Sequence, residues 1–245
     1  MLGNWKMNID ILPEAKKLVQ TVKKKTAKVR KTDIVFCPPT IYLQALAPMM
    51  KGKWKLGAQN AFYEQTGAYT GEISAPQLRQ FDISYVIVGH SERRIMDETD
   101  GIVSKKAQAV LRAGFTSVVC IGETVRSEDG EHLHFIKNQL EKSLAGVSKS
   151  QIGDVVIAYE PVWAIGAKDA MNPGDIHEMT LYIKKCLNTL FGTYANGVKI
   201  LYGGAVNSEN TKDIIQKGFV DGLLVGRDSL DADKFSQIIN IVDKA

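Results

Sequence analysis

Short apolar runs rich in β-branched residues alternate with longer segments of helical periodicity along the whole chain. Asp33–Cys37, Trp54–Gln59, Ser84–Gly89, Thr116–Ile121, Asp154–Tyr159, Lys199–Tyr202 and Val220–Val225 read as strands. Tyr85-Val86-Ile87-Val88 and Val155-Val156-Ile157-Ala158 are nearly continuous in apolar character. Strands buried on both faces have this pattern, as in a parallel sheet covered by helices. Met1–Trp5 makes a short eighth strand. Between the strands, Pro13–Thr26 opens on proline at a first helical position and puts Ala15, Leu18, Val19 and Val22 on one face. Ile102–Ala113, Glu131–Leu144, Ile176–Leu190 and Ser208–Gln216 stop at or near Gly114, Gly146, Gly192 and Gly218, the residue type that ends helices. Asp231–Val242 is the last helical segment, Thr40–Met50 is a further one, and Ser74–Gln80 is at most a short helix. Eight β-α units with no linker predict an α/β fold, a single (β/α)8 barrel with a parallel eight-stranded core over residues 1–245. A doubly wound open sheet shares the alternation. Both place chemistry where strands end.

Reactive residues do gather at those ends. Asn4 and Lys6 follow the first strand, and His90, Ser91 and Glu92 follow the strand ending at Gly89. Glu160 follows Tyr159, Gly203 and Gly204 follow Tyr202, and Gly226 follows Val225. Each has a bland reading alone: a surface lysine, a satisfied buried histidine, a carboxylate closing a strand. Their coincidence with strand ends points to a site.

Composition narrows the class without choosing a function. Of 245 residues, 44% are hydrophobic and 24% charged, which excludes a disordered or collagen-like chain. No apolar run approaches the roughly 18 residues of a membrane span, and the opening residues show no secretory signal. Cys37, Cys120 and Cys186 lie far apart, without zinc or CxxC spacing, and suit reduced thiols in the cytoplasm. The formal charge of +4 is mild. Lys23, Lys24, Lys25, Lys28, Arg30 and Lys31 cluster without interleaved aromatics, so they read as a solvated helix end rather than a nucleic-acid patch. His132 and His134, two apart on a helix, face away from each other, and His177-Glu178 lacks the second histidine of a zinc-protease motif. Walker A, GxSxG and GxGxxG patterns are absent from the sequence.

Five segments taken together resemble a known family. Gly3-Asn4-Trp5-Lys6-Met7-Asn8, Val88-Gly89-His90-Ser91-Glu92-Arg93-Arg94, Cys120-Ile121-Gly122-Glu123, Tyr159-Glu160-Pro161-Val162-Trp163-Ala164-Ile165-Gly166 and Tyr202-Gly203-Gly204 are similar to triosephosphate isomerases, in family order and across nearly the whole chain. The resemblance implies a cytoplasmic enzyme of glycolysis and gluconeogenesis that interconverts dihydroxyacetone phosphate and D-glyceraldehyde 3-phosphate. It implies no metal or organic cofactor, no nucleic acid and no membrane. Glu160 would be the base, its basicity raised by the apolar neighbours Ile165 and Leu224. His90 would be the neutral electrophile and Lys6 the cation, with Glu92 paired to Lys6 and Ser91 opening a helix behind His90. Asn4 would contact substrate, and backbone N–H groups near Gly166, after Gly204 and at Gly226 would hold the phosphate. Phosphate binding would close a lid over Pro161–Pro173 and exclude water from the enediolate.

The chain departs from the family pattern in places. Ala167-Lys168-Asp169-Ala170-Met171-Asn172 replaces the usual lid sequence, Ala205 stands where a serine hydroxyl latches the closed lid, and Arg227 follows Gly226 where a second glycine is usual. The first strand is short, which would loosen Lys6. The long polar loop 59–74 reads either as a local Ω-loop or, by the resemblance, as the arm of a homodimer. The competing function is a barrel that binds phosphorylated ligands with little or no isomerase activity; within enzymes, another phospho-sugar isomerase is the rival.

Overall fold

The computed structural model describes residues 1–126, 129–164 and 171–245. Eight strands pair in chain order into a closed barrel. They are β1 (Leu2–Asn4), β2 (Ile34–Cys37), β3 (Trp54–Ala58), β4 (Ile83–Val88), β5 (Thr116–Ile121), β6 (Val155–Tyr159), β7 (Lys199–Tyr202) and β8 (Gly222–Val225). All neighbouring pairs are parallel, including the closing pair of β1 with β8. The helices are α1 (Leu12–Lys25), α2 (Leu43–Leu46), α3 (Ala75–Leu78), α4 (Ser91–Ile95), α5 (Asp100–Arg112), α6 (Glu131–Ser143), α7 (Pro173–Phe191), α8 (Thr211–Gly218) and α9 (Ala232–Lys244).

Period-2 alternation along the strands divides the core into two layers. Leu2, Val35, Cys37, Ile87, Val118, Cys120, Val156, Ala158, Leu201 and Leu224 fill the barrel interior. Their strand neighbours, such as Ile34, Phe36, Val86, Val88, Val119, Ile157 and Ile200, face outward and pack with the apolar stripes of the helices.

Strand positions follow the sequence closely; helix bounds differ where caps decide them. Helix α7 begins at Pro173, ahead of Ile176, because the Asn172 side chain accepts a hydrogen bond from the Gly174 N–H and proline occupies the first turn. The segment Thr40–Met50 is a 3₁₀ turn, the four-residue α2 and a second 3₁₀ turn containing Pro48. Proline's missing N–H forbids a continuous helix there. Despite its length, β1 pairs on both sides, and the Trp5 N–H continues the ladder to the Cys37 carbonyl at 3.1 Å. The ladder beside Lys6 is thus kept although the strand is short. Among the described residues, no helix is long and apolar enough to cross a membrane.

Candidate active site

The strand ends surround a cavity of about 680 Å³. Asn4, Lys6, His90, Glu160, Leu224 and Gly226 line it, together with 203–207 and Arg227. The fold therefore brings the amine, the imidazole and the carboxylate named above to one space. Of the other expected site residues, Ser91 and Glu92 stand immediately behind it, while Ile165 and Gly166 lie outside the described residues, as does the lid segment 165–170.

Lys6 has a left-handed backbone, with φ of 55°. That conformation costs a non-glycine residue on the order of 1 kcal/mol. Two side chains hold it: Asn4 Oδ1 accepts from the Lys6 N–H at 3.1 Å, and Gln59 Nε2 donates to the Lys6 carbonyl at 2.9 Å. The ammonium lies 2.6 Å from Glu92 Oε1. Gln59 also donates to the Cys37 carbonyl, so one amide ties the turn after β1 to β2.

His90 sits immediately before α4 and caps it. Its Nδ1 accepts from the Glu92 N–H at 3.2 Å. A ring nitrogen that accepts cannot also carry the proton, so the neutral ring is protonated at Nε2. That Nε2 lies 3.2 Å from Glu160 Oε1. The Ser91 N–H donates to the other oxygen, Glu160 Oε2, at 3.1 Å. Both oxygens of a carboxylate that is only 2% exposed are thus engaged.

Glu160 fits its place because two neighbours have no side chain. The register Ile121↔Tyr159 sets Gly122 beside Glu160, where a Cβ on Gly122 would lie 1.7 Å from the Glu160 carbonyl oxygen. A Cβ on Gly203 would lie 2.8 Å from Glu160 Cγ. Gly122 as a space-maker escapes sequence reasoning, since cross-strand register is not written in any local pattern. Gly203 reads there only as part of a phosphate turn.

Glu123, quoted above only as part of a family-like segment, organises the same region. It accepts from the Tyr159 hydroxyl at 2.9 Å and from Trp163 Nε1 at 3.0 Å, and its carbonyl accepts from the Val162 N–H at 2.9 Å. Burial, and then the Glu123 charge, push the Tyr159 phenol far above its usual range. The chain on either side of Glu160 is therefore pinned to one carboxylate. Beneath the site, Cys120 is buried, and burial followed by the Glu160 charge pushes its thiol well up. Such a group packs and does not act as a nucleophile at neutral pH. Cys37 behaves alike, with burial pushing its thiol up to about 12.

Fold and site together define a (β/α)8-barrel enzyme with a carboxylate, an imidazole and an amine at the C-terminal mouth. Residues 1–242 match the family model described as triosephosphate isomerase. The triosephosphate isomerase of Moorella thermoacetica is 40% identical over 241 residues, covering 97% of this chain and 96% of the relative. That of Endomicrobium trichonymphae is 42% identical over 242 residues, covering 98% and 96%. The crystal structure of triosephosphate isomerase from Bartonella henselae superposes with a TM-score of 0.86 at 33% identity, covering 98% of this chain and 97% of that one. The chain belongs to the triosephosphate isomerase family and is an aldose–ketose isomerase.

Proposed function

We propose that the protein interconverts dihydroxyacetone phosphate and D-glyceraldehyde 3-phosphate through an enediolate, with Glu160 as the base that moves the proton between adjacent carbons. The observation that carries this reading is the shared cavity, in which His90 Nε2 and Glu160 Oε1 stand 3.2 Å apart beside Lys6. A Nε2–H donor is suited to polarising a carbonyl, and it can serve as the proton relay between the two oxygens of the intermediate. Lys6 supplies positive charge where the enediolate oxygens become anionic, and Glu92 keeps it in place. Asn4 contacts substrate. His90 and Ser91 engage both Glu160 oxygens, so substrate draws the carboxylate away from them to give up its proton. Leu224, which lines the cavity, contributes to a dry setting that favours proton abstraction, a role the family resemblance also gives to Ile165. The phosphate is assigned to backbone N–H groups at Gly166 and Gly226 and to the 203–207 turn. No metal or organic cofactor enters this scheme.

Two further readings belong to it. The lid latch is altered, because Ala205 lines the cavity without a hydroxyl. The protein acts as a homodimer in the cytoplasm, a compartment that three free, buried cysteines suit.

A coupled isomerase assay tests the central claim. Glu160→Ala should lower kcat at least ~10²-fold, the lower end of what one positioned base contributes. Phosphate binding by the unaltered protein without turnover would replace the isomerase reading with that of a binding barrel.

A further inference from the structure

We propose that Arg227 is a specificity-determining residue that grips the substrate phosphate from the cavity mouth and selects doubly charged phosphoryl compounds. This rests on the isomerase reading above and adds to it a side-chain determinant.

The position comes from the end of β8. Gly226 follows β8 and lines the cavity with Lys6, and Arg227 comes directly after it. The turn carrying it is tied down: the Ser229 N–H and hydroxyl donate to the Gly226 carbonyl at 2.9 and 2.6 Å, and the same hydroxyl donates to the Asn4 carbonyl at 3.4 Å. Arg227 is thus presented from a fixed backbone joined to β1.

The charges point the same way. Among the described lining residues, Lys6 and Arg227 are the cations, and Lys6 is taken up by Glu92. Asp228, next in the chain, also lines the cavity, and its Oδ1 lies 3.9 Å from Lys234 Nζ. Among the described residues Arg227 makes no ion pair and no side-chain hydrogen bond. The opposite wall, 203–207, offers glycine, alanine, valine and asparagine and no charge. A concave wall focuses the field of the charged groups that line it inward. A guanidinium also presents parallel N–H donors that match two phosphate oxygens, which a point charge cannot do. A triose with its carbonyl end at Lys6 and His90 would put its phosphate between this fork and the neutral wall.

Three measurements on the full-length chain test the assignment. The kcat/KM of R227A is compared with the unaltered protein for D-glyceraldehyde 3-phosphate and for unphosphorylated D-glyceraldehyde, and inorganic phosphate is titrated calorimetrically into both proteins. R227A should lose about tenfold more on the phosphorylated substrate than on the unphosphorylated one, chiefly through KM, and should bind inorganic phosphate about tenfold more weakly. R227K should recover part of the loss, with an unchanged melting temperature throughout. Equal losses on the two substrates, or undiminished phosphate affinity in R227A, would overturn the proposal. Absence of turnover by the unaltered protein would strike at the isomerase reading instead, and the phosphate titration would still decide the role of Arg227.

Discussion

At Ala205 the chain carries a methyl group where the family resemblance calls for a hydroxyl. The residue sits on the neutral wall of the cavity, and its carbonyl accepts from Asn210 Nδ2 at 3.1 Å, so its backbone is fixed whatever the side chain. Ala205→Ser adds one hydrogen-bonding group to an unchanged frame. One neutral hydrogen bond changes a rate or equilibrium by roughly two- to tenfold. Steady-state kinetics of A205S should therefore show kcat shifted within that range, and superimposable parameters would remove the latch from the account. At this scale the sequence was informative about side chains adjoining strand ends. Lys6, His90 and Glu160 are readable because each lies within a residue or two of an apolar run. It gave no role to Gln59, nor to Gly122 and Glu123 beyond their place in a family-like segment, because their importance comes from neighbours remote in the chain. The strained φ of Lys6 also leaves no compositional trace, since lysine gives no hint of a left-handed backbone.

Among the elements, α4 and α5 are joined to β4 by a buried ionic knot. Glu98 accepts from Lys106 Nζ at 2.5 Å, from Arg93 Nε at 2.7 Å and from the Gly89 N–H at 2.9 Å, while Lys106 also donates to Asn60 Oδ1 at 2.8 Å. Burial alone would raise the Glu98 carboxyl, but the Lys106 and Arg93 hydrogen bonds bring it below its ordinary value. Burial lowers the Lys106 ammonium, and Glu98 opposes this. A depressed carboxyl stabilises the fold at pH values above its ordinary range. That contribution disappears as the pH falls through the lowered value in the folded protein. Glu98→Gln leaves Lys106 buried without its counter-charge and should cost about 3 kcal/mol at pH 7 in urea unfolding. The gap between the two proteins should narrow as the pH drops below about 4; a gap that is constant with pH would mean that the knot is not ionic in the way described. The strands were readable in advance because two-sided burial forces continuous apolar runs. The five-residue α4 was too short to show a period, and Thr40–Met50 showed one that Pro48 then cut.

For the molecule as a whole, the loop after β3 is the feature that does not fold onto its own barrel. Its base is closed by the Phe62 N–H to the Ile73 carbonyl, by stacking of Phe62 on Tyr63 and by a tilted contact of Phe62 with Tyr69. Residues 64–72 are all exposed. It is thus a locally closed Ω-loop that also projects, and the two earlier readings are compatible. Met7, Ile41, Ile95 and Met96, in the segments that follow β1, β2 and β4, are 96%, 79%, 77% and 71% exposed. Apolar side chains so exposed around a projecting arm support a second copy as their cover. Sedimentation velocity should give twice the chain mass at micromolar concentration, and Met96→Glu should shift the protein toward the single chain. A single-chain mass for the unaltered protein would end the dimer proposal.

The barrel was legible at this scale because alternation and length leave few architectures. One of its joints has a further consequence. β1 and β8 meet through Leu2↔Leu224 and Gly3↔Val225, and Lys6 and Gly226, which follow these strands, line the same cavity. The narrow weld that closes the ring runs through the catalytic mouth. During refolding, turnover should therefore return only with the last event, when the two extremes of the polypeptide find each other. Recovery of activity would then report ring closure itself, while spectroscopic signals from the intervening six strands could recover earlier.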